Sequence, residues 1–275
     1  MSELDSKYTR LKSRLSRLEK IAIAFSGGVD STFLLAVAKN ILGDNFLALT
    51  VDTPYMPEWE INEAADFTSQ LDVRHAVVKI PIPEIISSNP PDRCYQCKKI
   101  VFTLLLERAR QEGFIHLADG TNSDDSQLYR PGLRALEELH IISPLKEAGL
   151  GKQDIRDLSH SLNLPTWDKP PYSCLLTRIP HNTPVCIDEL RRIEKAELLL
   201  HDLGFSLVRV RSHGSLARIE VEPTCRAALL DESISVRVHQ GLRALGYSFV
   251  TLDLLGYQTG SLDQPNSTPF PESIL

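Results

Sequence analysis

The chain has 275 residues, 42% hydrophobic and 24% charged, which is ample for a real core and ordinary for a globular protein. Its 30 basic and 36 acidic side chains leave a formal charge of -6, which argues against the basic face that sequence-independent nucleic-acid binding needs. No apolar run approaches the roughly 20 residues that span a bilayer, and the opening stretch MSELDSKYTRLKSRLSRLEK lacks a secretory apolar region. Neither a nucleic acid nor a membrane is therefore expected as partner, and the expected location is cytoplasmic. Five cysteines (Cys94, Cys97, Cys174, Cys186 and Cys225) form an odd set in a chain too large to need disulfides, so thiols serving metal, catalysis or packing are expected.

In chain order, residues 7–20 set Tyr8, Leu11, Leu15 and Leu18 at helical spacing among basic residues, which predicts an amphipathic helix. Residues 21–25 read as a buried parallel strand that breaks at Ser26-Gly27-Gly28, and a helical pattern begins beyond Asp30-Ser31. Strand, glycine turn and helix N-terminus together suit an anion, phosphate above all. Two residues lack a Cβ there, and the first amides and the positive end of the helix dipole face the ligand. The string fits neither GxxxxGK[ST] nor GxGxxG. The competing reading is an ordinary Gly-Gly turn with Asp30 as a cap.

A second strand over 46–53 ends in Asp52, followed by a turn at Pro54 to Pro57, a helix over 58–71 and a strand over 75–80. A proline-punctuated segment then carries Cys94-Tyr95-Gln96-Cys97, and 98–111 reads as a helix. Residues 114–120 read as another buried strand, running into Gly120-Thr121-Asn122-Ser123-Asp124-Asp125. At a strand's carboxyl end this polar loop, like Asp52, belongs beside the first loop, unless it is an Asx-rich surface turn. Residues 128–139 and 141–164 give a turn, a helix, a short strand and a capped helix. The alternation predicts an α/β fold with a doubly wound, mostly parallel sheet.

That domain is expected to span 1–167. Residues 168–187 form a proline-rich linker carrying Cys174 and Arg178, 188–262 a smaller C-terminal α+β domain, and 263–275 a Pro/Ser/Asn-rich tail. The C-terminal domain reads as a helix over 188–203, strands over 205–211 and 216–222 joined by a hairpin at His213-Gly214-Ser215, helical material to Leu245, and a strand over 248–254. Arg209 and Arg211 alternate on the first of these strands and point the same way, as anion ligands or as residues of a solvent face. Arg178, four residues from Cys174, would favour its thiolate.

A lone CxxC leaves zinc, a redox pair and an iron-sulfur cluster open. Zinc lacks a second close pair, and a thioredoxin-type pair would open a helix after a strand near the start of its domain, which this one is not expected to do; the plain alternative is incidental cysteine at a helix start. Cys186 and Cys225 read as small hydrophobes in packing. Cys94, Cys97 and Cys174 together could hold a [4Fe-4S] cluster with one iron left for a ligand such as sulfide.

The six residues Ser26, Gly27, Gly28, Val29, Asp30 and Ser31 resemble the SGGxDS pyrophosphate loop of the N-type ATP pyrophosphatases, an adenine nucleotide alpha hydrolase-like group. The group includes GMP, NAD and asparagine synthetases and several thiolation enzymes. The resemblance implies ATP as cofactor, cut between its α and β phosphates, Asp30 as a Mg²⁺ ligand, and the adenine near Asp52. DGTNSDD, YRPG and SPLKEAGLGKQDIRDL resemble further stretches of the same group.

Taken with NPPDRCYQCKK, TRIP and VRVR…ARIEVE, the motifs cover nearly the whole chain. Together they resemble the LarE-type sulfur transferases, which build the pyridinium dithiocarboxylate mononucleotide of the nickel-pincer cofactor of lactate racemase. That implies adenylation of a pyridinium carboxylate mononucleotide, followed by delivery of sulfur to give a thiocarboxylate. Of the family's two branches, one surrendering a single cysteine and one carrying a CxxC plus that cysteine, the chain resembles the second. That branch implies sulfur from a cluster-bound sulfide or from Cys174, with a sulfur donor protein or free sulfide as partner. Catalytic roles fall on Asp30, Cys174 and Arg178, nucleotide contacts on Gly120, Asn122 and Asp124, and substrate or phosphate contacts on Arg209 and Arg211. Glu197 and Glu220 are candidates for metal or proton handling by analogy. A homo-oligomer is implied, up to a hexamer. The rivals are an ATP-dependent tRNA thiolase, an ammonia-dependent amide synthetase and a nucleotide-binding sensor.

Overall fold

The computed structural model describes residues 2–127 and 131–258. They divide into two compact units, one of Met1–Ile86 with Asp92–Tyr172, the other of Ser87–Pro91 with the chain from Ser173 on. Leu128, the Tyr129 and Arg130 that open the YRPG motif, and the expected tail lie outside the described residues. Among the described residues no helix is long and apolar enough to cross a membrane.

The first unit opens with α1 (Glu3–Leu18), started by a capping box in which Ser2 and Asp5 exchange hydrogen bonds. Its Leu11 and Leu15 are fully buried, each worth about 1.5–3 kcal/mol on transfer from water. Then follow β1 (Ile21–Ala24), α2 (Val29–Leu42), β2 (Phe46–Asp52), α3 (Glu58–Gln70) and β3 (His75–Lys79). Next come α4 (Arg93–Gln111), β4 (Leu117–Ala118), α5 (Pro131–Glu138), α6 (Pro144–Ala148) and α7 (Lys152–Ser161).

The four strands pair in parallel in the order β3-β2-β1-β4, and Ile142 bridges in parallel to Ala118 on the far side. Successive residues of a strand face opposite layers, so Ile21, Ile23, Phe46 and Ala48 join the core with α1, α2, α6 and α7. Ala22, Leu47 and Leu49 join the core beneath α4 and α5. The sheet is therefore doubly wound, covered by helices on both faces, as its near-continuous apolar strands require. From β1 the chain moves first to β2 and later to β4 on its other side. The loops after β1 and β4 therefore flank the switch point, where ligands of open α/β sheets collect.

Two expectations shift. The helix read from Lys98 begins at Arg93, directly after the Pro90-Pro91 turn and Asp92, so the CxxC lies in its first turn and does open a helix. The strand read over 114–120 pairs only at Leu117 and Ala118.

The second unit contains α8 (Ile187–Asp202), β5 (Val208–His213), β6 (Leu216–Val221), α9 (Arg226–Leu229), α10 (Glu232–Ala244) and β7 (Phe249–Leu252). Its sheet runs β5-β6-β7, antiparallel then parallel, and Gly214, at φ +68, makes the tight turn of the β5–β6 hairpin. Leu200 of α8, Val208 and Val210 of β5 and Leu242 of α10 form its core.

Candidate active site

The loop after β1 folds onto itself. Ser26 N–H donates to Ser31 Oγ at 3.3 Å, the two serine hydroxyls lie 3.1 Å apart, and Ser31 Oγ donates to Gly28 O at 3.2 Å. Gly27 takes φ +71, a left-handed conformation open to glycine at little cost, and Gly28 is the N-cap of α2. Val29 turns inward to the core. The first amides of α2 are thereby left facing the switch point, with the helix's positive end behind them.

Asp30 stands on that first turn. Its Oδ2 accepts from Lys152 Nζ at 2.7 Å and from Asn122 Nδ2 at 3.5 Å, while its Oδ1 is buried without a hydrogen-bond partner. Burial pushes its carboxyl above the usual aspartate range, against the pull of Lys152 and with a further push from Asp125. An orphaned carboxylate oxygen beside an anion cradle fits a cation such as Mg²⁺, and Asp30 would hold it.

The loop after β4 closes the other side. A Cβ at Gly120 would come within 3.0 Å of Ser31 N, so only glycine lets the two loops approach this closely. Asn122 is buried and accepts from the backbone N–H of Asp124 and Asp125 at 2.9 and 3.3 Å, an Asx turn pulled inside rather than left at the surface. Asp124, expected at the nucleotide, instead accepts from Lys152 N–H at 2.7 Å at the start of α7. A Cβ on Gly151 would sit 2.9 Å from that carboxylate. Asp52 ends β2 and pairs loosely with Lys79 of β3 at 3.8 Å.

Two lysines that the sequence reading missed serve this site. Lys152 supplies beside Asp30 the cation that SGGVDS lacks, and Lys169 Nζ donates to Gly27 O at 3.1 Å and to Glu63 Oε2 at 2.6 Å. A separation of 122 and 142 residues from the loop hid both. The only local signal was Lys152's place within SPLKEAGLGKQDIRDL.

Within the second unit, Arg178, Arg209 and Arg211 are all buried, with Glu197 and Glu220 among them. Arg178 makes a two-pronged pair with Glu197 at 2.8 and 3.0 Å, and Glu197 Oε1 also accepts from Val210 N–H at 2.9 Å. Arg211 donates to Glu220 Oε2 at 2.7 Å and to Thr177 O at 2.6 Å. Burial opposes the charge of Glu197, but Arg178, with Arg209 beside it, outweighs that and holds the carboxyl below its usual range. Burial first, then the neighbouring Arg178, pull Arg209 downward. Three guanidinium groups around two carboxylates make a buried positive site suited to an anion. The reading of Arg209 and Arg211 as solvent-facing fails.

A family model described as NAD synthase matches residues 6–117. The chain is 34% identical to the pyridinium-3,5-bisthiocarboxylic acid mononucleotide synthase of Lactiplantibacillus plantarum, over 96% of both chains. The chain belongs to this LarE-type family. It is similar as well to an uncharacterized Synechocystis protein, 36% identical over 95% of this chain and 98% of the other. An uncharacterized Methanocaldococcus jannaschii protein is 37% identical over 78% and 84% respectively.

As a LarE-type member the chain is an ATP-using transferase, and its cysteines then matter most. In the first unit Cys94 is exposed and Cys97 half-buried, with Cys97 Sγ 3.3 Å from the hydroxyl of Tyr55, just past β2. Burial pushes the Cys97 thiol up, against the Tyr55 hydrogen bond. In the second unit Cys174 precedes a short 3₁₀ turn, Leu175–Arg178, and Arg178 meets it at the carbonyl oxygen, 3.4 Å away. The guanidinium expected to favour a Cys174 thiolate is thus committed to Glu197. Cys186, read as packed, is exposed at the start of α8, whereas Cys225 packs against the second unit's core. Among the described residues no group of three or more His, Cys, Asp or Glu is placed to hold a metal ion. Among the described residues the three cysteines therefore do not show a cluster site.

Proposed function

We propose that the chain uses ATP to adenylate a carboxylate of a pyridinium-3,5-dicarboxylate mononucleotide and replaces that oxygen with sulfur, within nickel-pincer cofactor biosynthesis. The observation that carries this reading is the phosphate loop at the switch point, with Asp30's orphaned oxygen and Lys152 beside it. The full-length similarity to the Lactiplantibacillus plantarum synthase supports the choice of substrate. Mg²⁺ on Asp30 would supply charge neutralisation at the phosphates.

The α2 amides and Lys152 bind the β and γ phosphates and stabilise charge on the departing pyrophosphate. A substrate carboxylate oxygen attacks the α phosphorus, and pyrophosphate leaves. In the acyl adenylate AMP is the leaving group that a carboxylate oxygen cannot be. A sulfur nucleophile then adds to the carbonyl carbon and AMP departs. Arg209 and Arg211 serve the substrate's phosphate and second carboxylate, with Arg178 bracing Glu197 beneath them.

For the sulfur itself Cys174 is the candidate. Its thiolate forms a thioester, and cleavage of its Cβ–S bond with loss of the Cα proton leaves dehydroalanine and releases the thiocarboxylate. The other source is sulfide, which Cys94, Cys97 and Cys174 would carry only if they held a cluster. Pyrophosphate release that requires the pyridinium acid, with a product one oxygen poorer and one sulfur richer by mass, is the expected result. Release with no acid present, or an amide product, overturns the reading. Intact protein lighter by one H₂S, lost in Cys174→Ala, assigns the sulfur to Cys174. Iron retained after anaerobic purification and lost in Cys94→Ala assigns it to a cluster.

A further inference from the structure

Lys169 reaches the phosphate loop from the side of a cavity of about 500 Å³ lined by Gly27, Thr32, Trp59, Glu63, Phe67 and Lys169, among others. Its ammonium donates to Gly27 O at 3.1 Å, is braced by Glu63 at 2.6 Å, and lies over the Trp59 ring at 5.4 Å. Arg156 steadies the segment that carries it by donating to the carbonyls of Trp167 at 2.6 Å and Lys169 at 2.8 Å.

In a trans peptide the carbonyl and the next N–H point opposite ways. With Gly27 O held toward Lys169, the N–H of Gly28 points to the other side of the loop, where it donates weakly to Ser26 Oγ at 3.4 Å, within the Ser26–Ser31 hydroxyl pair. An anion bound by the first amides of α2 would meet that N–H. Because both flanking residues are glycine, rotation of this peptide unit meets little steric resistance. The flipped form would aim a carbonyl, rather than an N–H, at the anion. Steric factors alone therefore leave the loop's orientation weakly specified, and the lysine breaks the tie.

We propose that Lys169 is a positioning residue that holds the Gly27–Gly28 peptide in its anion-accepting orientation, so that the pyrophosphate cradle is formed before ATP arrives. This deepens the reading of the loop as an ATP site and rests on it. Without the lysine the competent form is a fraction of the population, and apparent affinity falls by that fraction. The loss falls on binding, so KM for ATP rises while kcat at saturation holds.

The test is calorimetric titration of magnesium pyrophosphate and of ATP into the full chain, as wild type, Lys169→Met and Lys169→Arg, with Tm measured for each. Lys169→Met is expected to bind both ligands at least about tenfold more weakly, the loss of one charge-assisted hydrogen bond, while Lys169→Arg recovers most of the affinity. In steady-state pyrophosphate release the Met variant raises KM for ATP far more than it lowers kcat. Equal affinities in wild type and Lys169→Met overturn the inference alone. So does an equal loss in the Met and Arg variants that tracks a drop in Tm, the mark of a packing role. A wild type that binds neither ligand overturns the ATP reading and this inference with it. Should Lys169→Met not fold, Lys169→Gln carries the same comparison.

Discussion

The switch point of the first unit and the arginine cluster of the second both suit anions, and they do so by opposite means. At the switch point the donors are largely backbone amides of a glycine loop. Its side-chain charges, Asp30 and Lys152, remain partly open to solvent, at 21% and 38% side-chain exposure. In the second unit the donors are guanidinium groups on a β-strand and a 3₁₀ turn, fully desolvated and cross-braced by Glu197 and Glu220. A backbone cradle adds little to stability and much to ligand orientation. A buried ionic lattice is part of the structure, and removing one member strands the others.

The largest effect that would break this comparison comes from Glu197→Gln. It leaves Arg178 buried without its counter-charge and is expected to cost about 3–5 kcal/mol in chemical denaturation. Because the folded carboxyl lies below its usual range, Glu197's stabilisation is present above the ordinary glutamate pKa. It is lost as pH falls through the lower folded value, so wild type and variant should converge in acid. A near-neutral variant would mean that the cluster is not a structural lattice.

Asp30→Asn should do the reverse. Pyrophosphate release is expected to fall about 100-fold or more with loss of an electrostatic contact at the reacting phosphates. Stability at neutral pH should hold or rise, because burial raises the Asp30 pKa and its ionisation works against folding as pH climbs through that value. Parallel pH scans of Tm for variant and wild type check both signs.

How much of this could be read in the amino-acid order depends on range. The strand, turn and helix around Ser26 to Ser31, the polar loop after Gly120 and the alternation of Arg209 with Arg211 are local patterns, and each appears in the structure. Lys152 and Lys169 belong to the site only because the sheet winds both ways and returns α7 and the segment after it to the loop. The burial of Arg209 and Arg211 was hidden for a related reason. Period-two alternation says which residues share a face but not what covers it, and the cover here is Thr177 and Arg178 from before α8. The CxxC was placed ahead of its helix because the prolines at 90 and 91 read as continuing an irregular segment, whereas the helix starts just after them.

The smallest effect sharpens the comparison at the loop itself. Gly120→Ala sets a methyl 3.0 Å from Ser31 N, against backbone that cannot swing aside. It should lower stability by about 1–3 kcal/mol, the usual range for overpacking, and weaken ATP binding in the same titration. The corresponding close approach is absent at Gly214, where an added Cβ meets nothing within 4 Å and only the positive φ resists substitution.

The central claim is that the loop after β1 makes an acyl adenylate from which sulfur displaces AMP. The most direct test supplies the pyridinium dicarboxylate mononucleotide with ¹⁸O in its carboxylates and follows the label by mass spectrometry. The account predicts ¹⁸O in AMP for every thiocarboxylate formed and none in pyrophosphate. Label retained entirely in the pyridinium product, or found in inorganic phosphate with ADP formed, would contradict it.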